Sequence, residues 1–142
     1  MKTIKLMSLN HKEKENALNE VRLLASIDSP NVIKYKEAFY QECGNVLSIV
    51  MEFADGGDLA GLLEKKMSKG ERFEENFIWK VASDVLRGLK FLNSSNILHR
   101  DIKPANIFFA QGVAKLGDLN VSKVLNGKFA ETQTGTPYYT AP

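Results

Sequence analysis

The sequence predicts an α+β fold with elements in the order helix, strand pair, helices, hairpin and open tail. Three observations carry it. Apolar residues recur at helical spacing from Phe77 to Leu92, while VIKYKEAFY and NVLSIVMEF are dense in β-branched and aromatic residues. NIFFA and VAKLGD flank a Gln-Gly turn. With 142 residues, 44% hydrophobic and 25% charged, the chain has the balance of an ordinary globular protein, and disorder is not expected.

In chain order, a short extended segment precedes NHKEKENALNEVRLLASID, which reads as a helix. Asn10 with Glu13 forms a capping-box-like start, Ala17, Val21, Leu24 and Ala25 recur at helical spacing, and Ser29-Pro30 ends it. The two β-rich runs pair through a turn at Glu42 to Asn45, and the second, nearly all apolar, is expected to be buried. ADGGD breaks that strand, and Asp58 is placed to cap a short helix, LAGLLEKKM, which Ser68-Lys69-Gly70 interrupts. A long helix follows from near Glu74. Its stripe of Phe77, Ile78, Val81, Ala82, Val85, Leu86, Leu89 and Leu92 is broad enough to predict burial against other elements, and Asn93 to Asn96 terminate it. The remainder is Ile97-Leu98, a polar loop, a hairpin whose ends carry Asn106 and Asp118, and a polar tail ending TQTGTPYYTAP.

Charge and cysteine content narrow the function classes. The 19 basic and 17 acidic side chains leave a net charge of +2 and are interspersed, which gives no reason to invoke nucleic acid or an anionic membrane as partner. Cys43 is the only cysteine. It reads as a small hydrophobe, excludes an internal disulfide or cysteine-cluster zinc site, and fits a reducing compartment. Lys5 interrupts the apolar start and HKEKEN follows at once, unlike a signal peptide. No apolar run approaches the ~20 residues of a membrane span. A cytoplasmic location is expected.

The chemistry is concentrated in HRDIKPAN and the following GD. An isolated Asp or Lys is usually a solvated loop residue, but this combination meets the needs of one reaction. Moving a phosphoryl group from a metal nucleotide to a hydroxyl requires an acceptor for the hydroxyl proton, cations against the phosphates and oxygen ligands for Mg²⁺. Asp101 can orient and deprotonate a hydroxyl, and Lys103 lies two residues on to meet the transferring phosphate. Asn106 and Asp118 offer hard oxygen donors, and Arg100 is left to bind an anion nearby.

HRDIKPAN followed by GDLN resembles the catalytic loop and metal-binding motif of a eukaryotic protein kinase, with Lys103 characteristic of the serine/threonine branch. KTIKL with ENALNEVRLLASI is similar to the third strand and C-helix of NimA-related (Nek) kinases. The resemblance implies a two-lobed kinase fold running from the third strand of the N-lobe through the activation segment. Residues 1–54 would be an N-lobe portion with the hinge, and 55–142 a C-lobe portion. It implies ATP and Mg²⁺ as cofactors and proteins bearing Ser/Thr hydroxyls as substrates.

By the same resemblance Lys2 grips phosphate and Glu20 is its ion-pair partner, although a lone lysine near a terminus is ordinarily solvated. Met51 is the gatekeeper, the backbones of Glu52 and Ala54 face adenine, Asp58 reaches the ribose, and Phe108 packs under the adenine ring. Leu24, Tyr35, His99 and Leu119 match the regulatory spine, which favours packing and orientation for His99. In the tail, Thr132 matches the position usually phosphorylated, with Arg100 as its partner, and Thr136 the threonine that touches Asp101 and Lys103. Microtubule-organising or ciliary partners and an association with the cytoskeleton come from the family resemblance alone.

Two departures stand out. No glycine-rich loop precedes Lys2, and the chain stops at Ala141-Pro142, one residue short of the family's Ala-Pro-Glu. The expectation is therefore a piece of a kinase domain, incomplete at both ends and inactive by itself, with a catalytically dead binding or scaffolding module as the alternative. DLN replaces the usual Asp-Phe-Gly. Leu119 keeps an apolar plug, and Asn120 restricts the backbone while remaining compatible with metal binding.

Overall fold

The computed structural model describes residues 1–5, 21–22, 24–41, 43, 45–119 and 123–124. Glu20, Asn120, Thr132 and Thr136, and the Asn10–Glu13 helix start, lie outside the described residues. The chain divides into two compact units, Met1–Asp28 with Ile33–Phe53, and Ser29–Val32 with Ala54–Pro142.

The first unit contains an antiparallel sheet of β1 (Lys2–Lys5), β2 (Tyr35–Gln41) and β3 (Val46–Met51), with β3 in the centre. Lys2 stands opposite Ile49 and Tyr40 opposite Leu47. Leu47, Ser48 and Ile49 are buried in succession, so both faces of β3 are covered, as its continuous apolar run predicts. Residues 21–22 and 24–26 are helical, with Leu24 and Ile27 buried. Two expectations change. Phe53, read as strand, is 83% exposed, because β3 ends at Met51 and the chain then turns at Asp55-Gly56, where the Gly57 amide donates to the Ala54 carbonyl. Cys43 is exposed rather than packed, because it occupies the tight turn between β2 and β3 that also places Asn45 at φ 52°.

The second unit comprises α1 (Leu59–Ser68), α2 (Glu75–Ser94), β4 (Ile97–Leu98), a 3-10 turn (Pro104–Asn106), β5 (Ile107–Ala110), β6 (Val113–Leu116) and β7 (Lys123–Val124). Asp58 caps α1, its Oδ1 accepting the Gly61 amide at 2.8 Å. β5 and β6 form the expected hairpin, Ile107 opposite Leu116. Its Gln111-Gly112 turn holds both residues at positive φ (51° and 74°), the geometry that matches the twist of paired strands. β4 pairs with β7, an association that the sequence pattern does not reveal.

The long helix is not buried along the whole predicted stripe. Its inward line is Val81, Asp84, Gly88 and Leu92, whereas Ile78 and Leu86 are 55% and 64% exposed. The cause is how α2 meets β6. Gly88 lets the helix approach until a Cβ there would stand 2.6 Å from the Asn31 carbonyl oxygen and 3.0 Å from Leu116 Cδ1. One turn earlier, the buried Asp84 carboxylate accepts the Ala114 amide at 3.2 Å. A glycine and an aspartate thus define the contact line, and two of the apolar residues are left outside it.

Candidate active site

The segment from the end of β4 through the 3-10 turn folds back on itself, and three of its side chains converge. Lys103 Nζ lies 2.8 Å from Asp101 Oδ2 in an ion pair that is mostly shielded from solvent. Asn106 Nδ2 donates to the same Oδ2 at 2.9 Å and to the Asp101 carbonyl at 2.8 Å. The turn that begins at Pro104 makes this possible: Pro104 stands at its first position, where no amide hydrogen is needed, and the Asn106 amide donates to the Lys103 carbonyl. The Asp101 carboxylate is therefore oriented by two partners, one of them a cation.

The segment after β6 is tied to this loop. The Gly117 amide donates to the Asn106 carbonyl at 2.9 Å. His99, only 3% exposed, has Nε2 2.9 Å from the Gly117 carbonyl, and its Nδ1 accepts a long 3.4 Å bond from the Asp101 amide. An accepting Nδ1 assigns the proton to Nε2, so the ring is the neutral tautomer that donates to Gly117. Burial lowers the His99 pKa below its ordinary value, outweighing the Gly117 carbonyl and the Asp101 and Asp118 carboxylates, which favour the imidazolium. Asp118, next after Gly117, is exposed at φ 54°.

Among the other residues singled out from the sequence, Asp58 and Phe108 are brought together by an antiparallel bridge. The Gly56 amide and Phe109 carbonyl bond at 2.9 Å, holding the segment after Ala54 against β5. Lys2, Met51 and Glu52 belong to the first unit, with Lys2 and Met51 on β1 and β3, and the Glu52 amide bonded to the Lys34 carbonyl at 2.7 Å. Arg100, half-buried, adopts φ 70°. Gly117 is a position bonded to this loop that sequence reasoning passed over. It contributes through its amide and carbonyl, and a search for reactive side chains has no signal for that.

The donor set suits one kind of metal. Among the described residues no three His, Cys, Asp or Glu side chains cluster as a metal site. With the Asn106 amide hydrogens committed to Asp101, its Oδ1 and the Asp118 carboxylate are hard oxygen donors that fit Mg²⁺, an ion usually held by one or two protein oxygens together with substrate phosphates.

The chain belongs to the protein kinase domain family, whose model matches residues 1–142 and so takes in the Asp101, Lys103 and Asn106 loop, the hairpin and Asp118. The Nek resemblance is borne out by the relatives. The chain is 44% identical to the serine/threonine-protein kinase Nek5 of Mus musculus over 98% of its length, and 37% identical over all of it to the probable serine/threonine-protein kinase nek3 of Dictyostelium discoideum. It is also 39% identical, again over its whole length, to the MAP kinase kinase skh1/pek1 of Schizosaccharomyces pombe. It spans 22%, 13% and 39% of those three proteins, well under half of each.

Proposed function

We propose that this chain forms part of a Nek-like kinase that transfers the terminal phosphoryl group of Mg-ATP to serine or threonine hydroxyls of proteins. The observation that supports it best is the Asp101 carboxylate held at 2.8 Å from Lys103 and 2.9 Å from Asn106. In this reading Asp101 orients the substrate hydroxyl and takes its proton, and Lys103 offsets charge on the phosphoryl group in flight. Asn106 and Asp118 would hold Mg²⁺, which when bound supplies charge neutralisation between the phosphates. Lys2 and Glu20 are assigned to phosphate binding, Met51, Glu52, Ala54 and Phe108 to adenine, and Asp58 to ribose. Thr132, with Arg100, is assigned to switching by phosphorylation, and Thr136 to contact with Asp101 and Lys103. The 1–54 and 55–142 division into lobe portions belongs to the same reading, as do a cytoplasmic, cytoskeleton-associated location and microtubule-organising partners.

The test is Asp101→Asn in a completed kinase domain that contains this chain. Phosphotransfer to a serine peptide should fall by at least ~10²-fold, the usual contribution of general base catalysis, while Mg-ATP affinity stays within about two-fold. Retained turnover in the variant would remove the assignment.

A further inference from the structure

Helices α1 and α2 both end on a serine, Ser68 and Ser94, and both serines are exposed. Each hydroxyl donates back to the carbonyl three residues earlier, Ser68 Oγ to Lys65 at 3.0 Å and Ser94 Oγ to Phe91 at 2.9 Å. Their electrostatic surroundings differ. Ser94 is flanked by Phe91, Leu92 and Asn93 on one side and Ser95, Asn96 and Ile97 on the other, none of them charged. Ser68 has Lys65 and Lys66 three and two residues before it, Lys69 directly after it and Arg72 four residues on. Lys66 is engaged with Glu71 at 2.7 Å, whereas Lys65, Lys69 and Arg72 are exposed and form no ion pair among the described residues. With Glu71 taken up by Lys66, Glu64 is the one remaining acid within four residues of Ser68, against three cations. Lys65, in the last turn, also complements the negative end of α1, but Lys69 and Arg72 lie beyond the helix.

We propose that Ser68 is a phosphorylation site for a protein kinase that selects basic residues before the acceptor, and that Lys65, Lys69 and Arg72 hold the resulting phosphate. The step transfers the terminal phosphoryl group of ATP. The bond from that phosphorus to the ADP oxygen breaks, a bond to Ser68 Oγ forms, ADP leaves, and the hydroxyl proton passes to the modifying enzyme's base. Charge patterns around the acceptor are a common basis of kinase selectivity, and Lys65 and Lys66 supply one that Ser94 lacks. The hydroxyl is reachable, because Ser68 stands where α1 gives way to the turn at Gly70 (φ 66°), and helix ends open at small cost. A phosphate adds about −1.5 to −2 charges. At the end of a helix this is ordinarily unfavourable, since the last carbonyls already carry partial negative charge. The three exposed cations reverse that balance, and a phosphate shared by Lys69 and Arg72 ties the connection between α1 and α2 to the end of α1. The inference is independent of the chain's own phosphotransfer chemistry.

The test uses a completed kinase domain that contains this chain, with Asp101→Asn to silence its own transfer. It is incubated with Mg-ATP and the catalytic domain of protein kinase C as a basic-directed enzyme, and a control without added enzyme counts any transfer by the domain itself. Cleavage after Glu64 and Glu71 releases residues 65–71 as one peptide for mass spectrometry. Ser68 should be phosphorylated about ten-fold faster than Ser94, and Lys65→Gln should slow it about two- to five-fold, the size of an exposed ion pair. The same peptide from the protein isolated from its own cells should carry the phosphate. Ser68 modified no faster than Ser94, a rate unchanged in Lys65→Gln, or an unphosphorylated Ser68 in the cellular protein each overturns the site. Capture of the phosphate is read separately by ³¹P NMR titration of the modified domain. Its second ionisation, ordinarily near about pH 6, should fall at lower pH and return toward about 6 in Lys69→Gln with Arg72→Gln. An ionisation that those two substitutions leave unmoved overturns the role given to Lys69 and Arg72.

Discussion

Replacing Gly88 with alanine sets two known effects against each other. Helix propensity alone favours Ala over Gly by about 0.5–1 kcal/mol. At this position, however, the new methyl would stand 2.6 Å from the Asn31 carbonyl oxygen and 3.0 Å from Leu116 Cδ1. The oxygen cannot easily retreat, because it accepts the Leu116 amide at 2.9 Å while the Asn31 side chain donates to the Ala114 carbonyl at 3.2 Å. Overpacking a filled contact costs about 1–3 kcal/mol, so the net expectation is a destabilisation of about 1 kcal/mol. Gly61→Ala is the control, since a Cβ there meets only Asp58 Oδ1 at 3.7 Å and should realise the propensity gain. Urea denaturation followed through Trp79, the chain's single tryptophan, reads both variants. A Gly88→Ala protein as stable as the parent or more so would refute the claim that this glycine sets the approach of α2 to β6.

Asp58→Ala removes the cap on α1 and should cost about 1 kcal/mol, read as faster hydrogen exchange at the Gly61 amide; unchanged protection would mean that the 2.8 Å bond carries little. The lowered His99 pKa means that the unfolded chain binds the proton more readily than the folded one, so stability is complete above the ordinary value near 6.5 and is lost as pH falls from there through the lower folded value. Denaturation midpoints at pH 7 and pH 5 should therefore differ more in the parent than in His99→Gln, and equal slopes would count against the assignment.

Much of the local structure is legible in the residues because local chemistry dictates it. The Asp58 cap, the Gln111-Gly112 hairpin turn and the apolar centre of β3 each depend on a few neighbours in sequence. What periodicity misses is packing by residues without an apolar side chain. Gly88 and Asp84 form the inner line of α2, one by absence of bulk and the other by a hydrogen bond to Ala114, while the apolar Ile78 and Leu86 face outward. The pairing of β4 with β7 joins two-residue strands far apart in sequence, too short for any pattern to reveal. At the site, the motif names Asp101, Lys103 and Asn106, whose convergence depends on a single turn. The role of Gly117 is a main-chain one and leaves no trace in side-chain chemistry.

That main-chain role explains why the two loops can hold unfavourable backbone. Arg100 at φ 70° and Asp118 at φ 54° occupy the left-handed region, at a cost on the order of 1 kcal/mol for a residue such as arginine and less for aspartate, which visits it more readily. Each of these residues adjoins a position bonded twice across the site. Asp101, following Arg100, gives its amide to His99 Nδ1 and receives the Asn106 side-chain amide on its carbonyl. Gly117, preceding Asp118, receives His99 Nε2–H on its carbonyl and gives its amide to the Asn106 carbonyl. His99 and Asn106 therefore cross-link the same two points, and the closed ring of four bonds fixes the main chain on which the Asp101 and Asp118 carboxylates are mounted. Protonating His99 would turn Nδ1 from acceptor to donor facing the Asp101 amide and break one side of that ring. The burial that keeps the imidazole neutral thus also keeps the loops joined, and the backbone strain at Arg100 and Asp118 is retained because the ring holds both sides at once.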